Sequence, residues 1–187
     1  MLDRLFENHS IIVTLDVDSL ICDRLRQVVQ AGLKIVEINS SDRTLLEKLI
    51  DMFPQVILGA GNIVTLAELE NCQKAGVHFI TSPGFVPEIA KTALVYALNY
   101  LPGIATLSEA MQMMNLGYTQ ARPYPATLSY CSLLNKCLPH LHLYPADIEY
   151  DEAEHYLSIP TVKAVSILNP EKKQLKNIMS LLCIEAI

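Results

Sequence analysis

The sequence predicts an α/β protein, and more specifically a compact (β/α)8 TIM barrel formed by residues 1–187 as a single domain. Short apolar or β-branched runs recur at regular intervals, and segments with helical spacing of apolar residues separate them. Hydrophobic residues make up 51% of the chain and the mean hydropathy is +0.28. That content suits parallel strands, which helices cover on their outer face. An open doubly wound sheet is the structural alternative.

Eight segments are predicted to be strands because apolar and β-branched residues dominate them. They are residues 11–15, 34–38, 55–58, 77–80, 96–101, 118–124, 140–144 and 162–167. Pro123 and Pro125 interrupt the sixth segment, and proline cannot donate to a strand ladder. Regular alternation of strands and helices calls for parallel strands with right-handed crossovers, and eight such units favour a barrel.

Several helix boundaries are marked by local signals. Thr65-Leu-Ala-Glu68 and Thr106-Leu-Ser-Glu109 have the capping-box pattern, which predicts a helix start at each site. Asn169-Pro170 predicts an N-cap followed by proline at the first helical position, opening a last helix that runs to about Cys183. Glycines expected to end helices are Gly32, Gly76 and Gly117.

Composition disfavours several classes of function. A net charge of −6 argues against nucleic-acid binding, which needs a clustered basic surface. We expect no membrane contact and a cytoplasmic location, since the sequence shows neither an apolar stretch of roughly 18 residues nor a signal-peptide pattern. The five cysteines form no C-x-x-C pair and are expected to be reduced and buried. His140 and His142 could share a metal, but their leucine neighbours favour a structural role, so no metal and no cofactor are expected.

In a parallel barrel the residues that end each strand and begin the next loop lie on the active-site side. This rule identifies the candidate site before any motif is considered. It selects Asp16, residues 37–41, 59–62, 81–84, 102–103, 122–127, 144–147 and 166–169.

The strand ends carry an ordered set of motifs. They are Val36-Glu-Ile38, Leu58-Gly-Ala-Gly-Asn62, Phe79-Ile-Thr-Ser-Pro-Gly84, Leu101-Pro-Gly-Ile-Ala-Thr106 and Tyr124-Pro-Ala126. In this order and at these spacings the sequence resembles the KDPG/KHG aldolases from about residue 11 to residue 127. The resemblance implies a class I aldolase, an enzyme that cleaves a 2-keto-3-deoxy or 4-hydroxy-2-keto acid to pyruvate and an aldehyde. It also implies that the protein forms a homotrimer.

In that family a lysine on the sixth strand forms a Schiff base with the keto group, and a glutamate on the second strand handles protons. The resemblance places Glu37 at the glutamate position and Arg122 at the lysine position. An imine needs a deprotonated amine, whereas guanidinium stays protonated to pH ~12 or beyond. Arg122 is therefore not expected to form the imine.

The remaining site positions also come from the resemblance. Ser41 stands where the family has a carboxylate-binding arginine, and Asn62 stands where it has a threonine. The other expected substrate-binding residues are Pro83, Gly84, Pro102 and Tyr124. The phosphate loops of the family are missing from Tyr144-Pro-Ala-Asp-Ile148 and from residues 165–170, which lack the glycines that let backbone N–H groups approach an anion.

Two questions stay open at this point. Arg122 could pair with Glu37, which would neutralise two inward charges, or it could bind a carboxylate or phosphate ligand. Another lysine could replace the missing one, but Lys34 and Lys163 are expected at the opposite end of the barrel. Lys91 and Lys136 are expected on outward helix faces.

Three functions remain compatible with the sequence. The favoured one is a catalytically impaired or repurposed aldolase homologue that binds a small 2-keto acid or other small anion. The second is an active aldolase that uses a non-standard residue. The third is a structural or partner-binding subunit whose oligomer surface is the functional part.

Overall fold

The structure is a computed structural model that describes residues 5–7 and 9–184. The limits predicted for the domain also include residues 1–4, 8 and 185–187, which lie outside the described residues. The strands are β1 (Ile11–Asp16), β2 (Ile35–Asn39), β3 (Ile57–Ala60), β4 (Phe79–Thr81), β5 (Asn99–Leu101), β6 (Gly103–Ile104), β7 (Gln120–Pro123), β8 (His142–Leu143) and β9 (Val165–Leu168). The helices are α1 (Ile21–Gln30), α2 (Arg43–Met52), α3 (Leu66–Ala75), α4 (Pro87–Val95), α5 (Leu107–Asn115), α6 (Leu128–Cys137), α7 (Ala153–Leu157) and α8 (Lys172–Ile184).

The chain has the predicted α/β architecture with parallel strands. One sheet has six strands in the order β5-β4-β3-β2-β1-β9 and curls into a half-barrel, and β6, β7 and β8 form a second sheet. Backbone hydrogen bonds join the two sheets at both edges. The N–H of Arg122 donates to the carbonyl of Pro102 at 2.8 Å, and the N–H of Ser166 donates to the carbonyl of Pro145 at 2.8 Å.

Each predicted strand segment contains strand residues, but the fifth one differs from its prediction. Residues 96–98 are not strand, because α4 runs to Val95 and Ala97 has a positive φ of 52°. The strand is then split at Pro102, which has no N–H to donate, into β5 and β6. This break separates the strands into two sheets rather than one continuous ladder.

Both predicted capping boxes are confirmed. The Thr65 and Thr106 hydroxyls accept from the N–H groups of Glu68 and Glu109, whose carboxylates accept in return from the N-cap N–H groups. The prediction for Asn169 is wrong. Helix α8 begins only at Lys172, because the Asn169 carboxamide is engaged with Asp16 instead of capping the helix.

The cysteines match their prediction only in part. Cys22, Cys72, Cys131 and Cys137 are free thiols, as expected, but only Cys72 and Cys131 are buried. Cys137 is exposed because it lies at the end of α6, and the side chain of Cys183 lies outside the described residues. Burial raises the pKa of the Cys72 and Cys131 thiols to about 12. Within the described ranges, no helix is long and apolar enough to cross a membrane.

The inner face of the sheets is apolar at one end and polar at the other. A cluster inside the curl consists of Phe6, Ile12, Ile35, Phe79, Leu101, Tyr144 and Ala164. The Phe6 ring meets the Phe79 ring edge-on, with 5.1 Å between centroids. Side chains alternate along a strand with a period of two, so the residues two positions after cluster members face the same way. Thr14, Glu37, Thr81 and Ser166 occupy those positions, and all four are buried.

Candidate active site at the carboxyl ends of the strands

A cavity of about 220 Å³ opens where the strands end, above this layer of buried polar residues. We call it the mouth. Its lining residues are Asp16, Asn39, Asn62, Thr81, Ser82, Pro83, Arg122, Tyr124, Asp147 and Leu168. All ten belong to the set selected from the sequence as strand ends. The position of a residue relative to its strand was therefore the signal that located the cavity.

Glu37 and Arg122 form a buried ion pair beside the mouth. Arg122 Nη1 donates to Glu37 Oε2, and the two side chains are 7% and 1% exposed. Burying either charge alone would be costly, so each requires the other. Of the two alternatives that the sequence left open for Arg122, this pair is the one present in the structure.

The second carboxylate oxygen of Glu37 has no hydrogen-bond partner among the described residues. Oε1 is buried and accepts no hydrogen bond from the part of the chain that the structure describes. Gly61 lies next to it: a Cβ at that position would come within 2.6 Å of Glu37 Oε1 and 2.4 Å of Asn39 Oδ1. Glycine at position 61 therefore lets the two acceptor oxygens pack against the backbone at a place where any side chain would overlap them.

Asp16 is held in place by two asparagines. The Nδ2 groups of Asn39 and Asn169 donate to Asp16 Oδ1 and Oδ2, each at 2.7 Å. The N–H of Asp16 donates to Asn169 Oδ1 at 3.0 Å. Arg24 also donates to Asn169 Oδ1 and pairs with Asp18 at 2.7 Å. These contacts tie the loops after β1, β2 and β9 together around one carboxylate.

Backbone strain is concentrated at this end of the protein. Among the described residues, four non-glycine residues have positive φ, and three of them follow β3, β8 and β9. They are Asn62 at 62°, Asp147 at 55° and Asn169 at 45°. Asn and Asp tolerate this region best, and such residues cluster at binding and catalytic sites.

The hydroxyl of Ser82 is already committed to structural contacts. It donates to the carbonyl of Gly84 at 2.6 Å and lies 2.5 Å from the hydroxyl of Tyr100. Burial raises the pKa of Tyr100, so this phenol stays protonated at neutral pH. These contacts hold the Ser82 hydroxyl in a structural role.

The structure brings some of the predicted site residues together and leaves others outside the cavity. Asn62, Pro83, Arg122 and Tyr124 line it, and Glu37 lies next to it. Three predicted residues do not line the cavity, namely Ser41, Gly84 and Pro102. The backbone carbonyls of Gly84 and Pro102 instead accept hydrogen bonds from the Ser82 hydroxyl and the Arg122 N–H. The substrate-binding predictions did not include Asp16, Asn39, Thr81, Ser82, Asp147 and Leu168.

No lysine lines the mouth. All nine lysines lie within the described residues, and all are exposed. Lys34 immediately precedes β2, so it lies at the far end of that strand from the mouth. Lys163 Nζ donates to the carbonyl of Pro160 at 3.1 Å, ahead of β9. Within the described ranges, no group of three or more His, Cys, Asp or Glu residues could hold a metal ion.

The fold and the mouth define an α/β protein that gathers its functional side chains at the carboxyl ends of parallel strands. More specifically, the chain belongs to the KDPG and KHG aldolase family, whose model matches residues 5–177. It is 26% identical over 162 residues to the 2-dehydro-3-deoxy-phosphogluconate aldolase of Pseudomonas aeruginosa, a match that covers 82% of this chain and 74% of the relative. It is 27% identical over 104 residues to the KHG/KDPG aldolase of Escherichia coli K12, where the match spans only about half of each protein, 54% and 49%.

Solved structures show the same fold. The KDPG aldolase of Legionella pneumophila, with pyruvate captured as a covalent carbinolamine intermediate, superposes with a TM-score of 0.84 at 23% identity. The alignment covers 97% of this chain and 94% of that one. The Zymomonas mobilis aldolase with 3-phosphoglycerate has a TM-score of 0.85 at 19% identity, with coverage of 97% and 94%.

Proposed function

We propose that this chain is a member of the aldolase family that has lost Schiff-base chemistry and binds a small ligand at the mouth without covalent capture. The observation that carries the proposal is the buried Glu37–Arg122 ion pair. A guanidinium group cannot give up its proton at cellular pH, and here it is ion-paired with a buried carboxylate. Arg122 therefore cannot attack a ketone.

The ion pair also engages Glu37, the residue to which the resemblance assigns the role of catalytic base. A carboxylate acts as a general base when it can accept a proton from the substrate. One oxygen of Glu37 is bound to Arg122 instead, and neither oxygen belongs to the cavity lining. Loss of nucleophile and base together would typically reduce the rate by several powers of ten.

The shape of the mouth nevertheless favours ligand binding. The hydrogen bonds that join the two sheets support closure of the strands into a barrel, which would give the cavity a continuous wall. Amide, hydroxyl and carboxylate groups converge in it. The sequence predicts a small 2-keto acid or other small anion as the ligand and a cytoplasmic location, and both remain predictions.

Borohydride trapping tests the loss of covalent chemistry. The protein is incubated with pyruvate and sodium borohydride, and the intact mass is measured. We expect no reduced adduct on the wild type. Arg122→Lys is the matched variant, because it restores an amine at the same place, and an adduct on it alone would support the proposal. A stable adduct on any lysine of the wild type would instead support an active aldolase that uses a non-standard residue.

An apolar surface at the end of α4 supports the further hypothesis of an oligomer, which the resemblance predicts to be a homotrimer. Leu94, Val95 and Tyr96 are consecutive and are 56%, 81% and 42% exposed. Contiguous exposed apolar residues often mark an interface. Mass photometry across a dilution series tests this: a monomer at all concentrations would contradict the hypothesis, and Val95→Lys should dissociate a trimer.

A further inference from the structure

Two buried side chains of the mouth carry hydrogen-bonding groups that have no partner in the described part of the chain. Thr81 is 2% exposed and lines the cavity, yet its hydroxyl forms no hydrogen bond with any described residue. Arg122 also lines the cavity, and its guanidinium has several N–H donors but donates only to Glu37 among the described residues. Buried polar groups are nearly always paired, so donors left open at the wall of a cavity indicate a ligand atom that accepts from them.

The charge of Arg122 is already balanced. It forms the ion pair with Glu37, and the other charged side chains among the described lining residues are the carboxylates of Asp16 and Asp147. A carboxylate ligand on Arg122 would therefore share one guanidinium with Glu37, and no second cation of the lining would offset the repulsion between the two carboxylates. A neutral oxygen, such as that of an amide carbonyl, accepts from the same donors without adding a charge.

The rim of the mouth offers an acceptor to such a ligand. The Asp147 carboxylate lines the cavity and is exposed, and it forms no ion pair or hydrogen bond with the described side chains, whereas Asp16 already accepts from two asparagines. The N–H groups of the residues on either side of Asp147 donate to the carbonyls of Pro123 and Ser166, at 3.3 Å and 2.9 Å. These bonds fix the backbone that carries the carboxylate, so it can accept from a hydroxyl group of the ligand.

We propose that the mouth binds a small uncharged hydroxy-carbonyl compound, such as a hydroxy amide, with its carbonyl oxygen at Arg122 and Thr81 and a hydroxyl group at Asp147. The inference deepens the proposed function and rests on it, because a cavity that formed imines would require a ketone and a free amine. The guanidinium and the Thr81 hydroxyl donate to the carbonyl oxygen, and the ligand's hydroxyl donates to the Asp147 carboxylate. The sequence predicts a small keto acid or other anion at this place, so charge separates the two ligand classes.

The size of the cavity sets the size of the probes. Its volume of about 220 Å³ lies below the usual range for drug-sized ligands, which begins near ~300 Å³. Glyceramide is an uncharged three-carbon hydroxy amide, and glycerate has nearly the same shape but a negative charge. Lactamide is the same amide without the terminal hydroxyl. None of the three contains a ketone, so their binding does not depend on imine chemistry.

Each probe is titrated into the isotope-labelled full chain at pH 7 and low salt, with the side-chain amide signals of Asn39 and Asn62, which line the mouth, as the NMR readout. We expect the Kd for glyceramide to be at least about threefold below that for glycerate, because of the repulsion between carboxylates. Lactamide should bind more weakly than glyceramide. Added salt should narrow the difference between glyceramide and glycerate, since it screens the repulsion. Glycerate or pyruvate binding as tightly as glyceramide, lactamide binding as tightly as glyceramide, or no shift with glyceramide would overturn the inference.

Thr81→Val tests the position of the carbonyl oxygen. Valine has nearly the shape of threonine, and the hydroxyl has no partner to lose among the described residues, so Tm should not fall. The Kd for glyceramide should rise about fivefold, the loss expected for one hydrogen bond. Thr161→Val is the matched control, because Thr161 is also buried with an unpartnered hydroxyl but precedes β9, away from the mouth. It should leave the Kd unchanged. Thr81→Val binding glyceramide as tightly as the wild type would show that the oxygen does not lie there.

Asp147→Asn tests the charge. Asparagine tolerates the positive φ at this position and keeps a side-chain oxygen that accepts from a hydroxyl group. The Kd for glyceramide should change little, whereas that for glycerate should fall about threefold. Asp51→Asn, at an exposed position near the end of α2, is the control and should change neither. An unchanged Kd for glycerate in Asp147→Asn would contradict the electrostatic argument.

Failure of this inference can be distinguished from failure of the proposed function. The proposed function fails if the wild type forms a borohydride-stable pyruvate adduct. A preference for glycerate over glyceramide without such an adduct would overturn only the ligand class.

Discussion

Removing the guanidinium of Arg122 while leaving Glu37 in place should strongly destabilise the protein. Arg122→Met keeps a long unbranched side chain but leaves a carboxylate that is 1% exposed without its ion-pair partner. Within the described part of the chain Glu37 Oε1 already lacks a hydrogen bond, so neither carboxylate oxygen would then be compensated. Breaking one side of a buried pair costs about 3–5 kcal/mol. At about 2–4 °C per kcal/mol in a domain of this length, Tm should fall by roughly 6–20 °C.

The double variant Glu37→Leu/Arg122→Met separates charge imbalance from packing. Replacing a buried pair by apolar residues is often neutral or stabilising, so the double variant should recover most of the loss. Urea unfolding of the wild type, Glu37→Leu, Arg122→Met and the double variant completes a double-mutant cycle. Unfolding is followed by far-UV circular dichroism and by tyrosine fluorescence, since the chain has eight tyrosines and no tryptophan. Arg26→Met is the control, because Arg26 pairs with Asp23 on the surface, where both side chains are exposed.

The result that would refute this reasoning is equally specific. If Arg122→Met changed Tm no more than Arg26→Met does, Glu37 would not need a buried counterion. The guanidinium of Arg122 would then be free to bind an anionic ligand, which is the alternative that the sequence left open.

Three further outcomes follow from the structure. Arg122→Lys should yield a borohydride-stable pyruvate adduct if the mouth still accepts a keto acid, as measured by intact mass. Burial raises the pKa of the Cys72 and Cys131 thiols to about 12, so a thiol reagent at pH 8 should leave both unmodified until urea unfolds the protein. Because these thiols ionise near pH 9 when unfolded and keep their protons longer when folded, the free energy of unfolding should fall as the pH rises above 9. Gly59→Ala would place a Cβ 2.3 Å from a ring atom of Phe79, so urea titration should show a loss of about 1–3 kcal/mol that Phe79→Leu partly restores.

Local signals in the sequence predicted most of the fold. Each apolar run contains a strand, and the threonine–glutamate pairs at Thr65 and Thr106 begin helices, because these features depend on neighbouring residues. The mouth was also predictable, since the end of a strand is a local property and parallel strands bring all such ends to one side. The Glu37–Arg122 pair could be anticipated from chemistry, although 85 residues separate its members.

The sequence could not show which polar side chains form hydrogen bonds with residues far away in the chain. Asn169 looked like a helix cap, but its carboxamide bonds to Asp16, 153 residues away. The close packing of Glu37 and Asn39 against Gly61 depends on the pairing of β2 with β3, which no spacing in the sequence reveals. The division of one predicted strand into β5 and β6 at Pro102 depends on which strands pair on either side of it. The sequence does not give that pairing, because proline is also compatible with an uninterrupted strand at the edge of a sheet.

Under the proposed function, the ion pair makes loss of the lysine different from a simple deletion. An alanine at position 122 would leave Glu37 available as a base, and a lysine reaching the mouth from elsewhere could restore the chemistry. A buried guanidinium instead requires an internal counterion, and Glu37 is the residue that supplies it. Under the proposed function, Arg122 therefore supplies no nucleophile and also engages the base that the resemblance assigns. Restoring catalysis would need Glu37 to be released as well as an amine to be supplied. Arg122→Lys accordingly tests both, since it returns the amine and gives Glu37 a partner that can lose its proton in place of a permanently charged one.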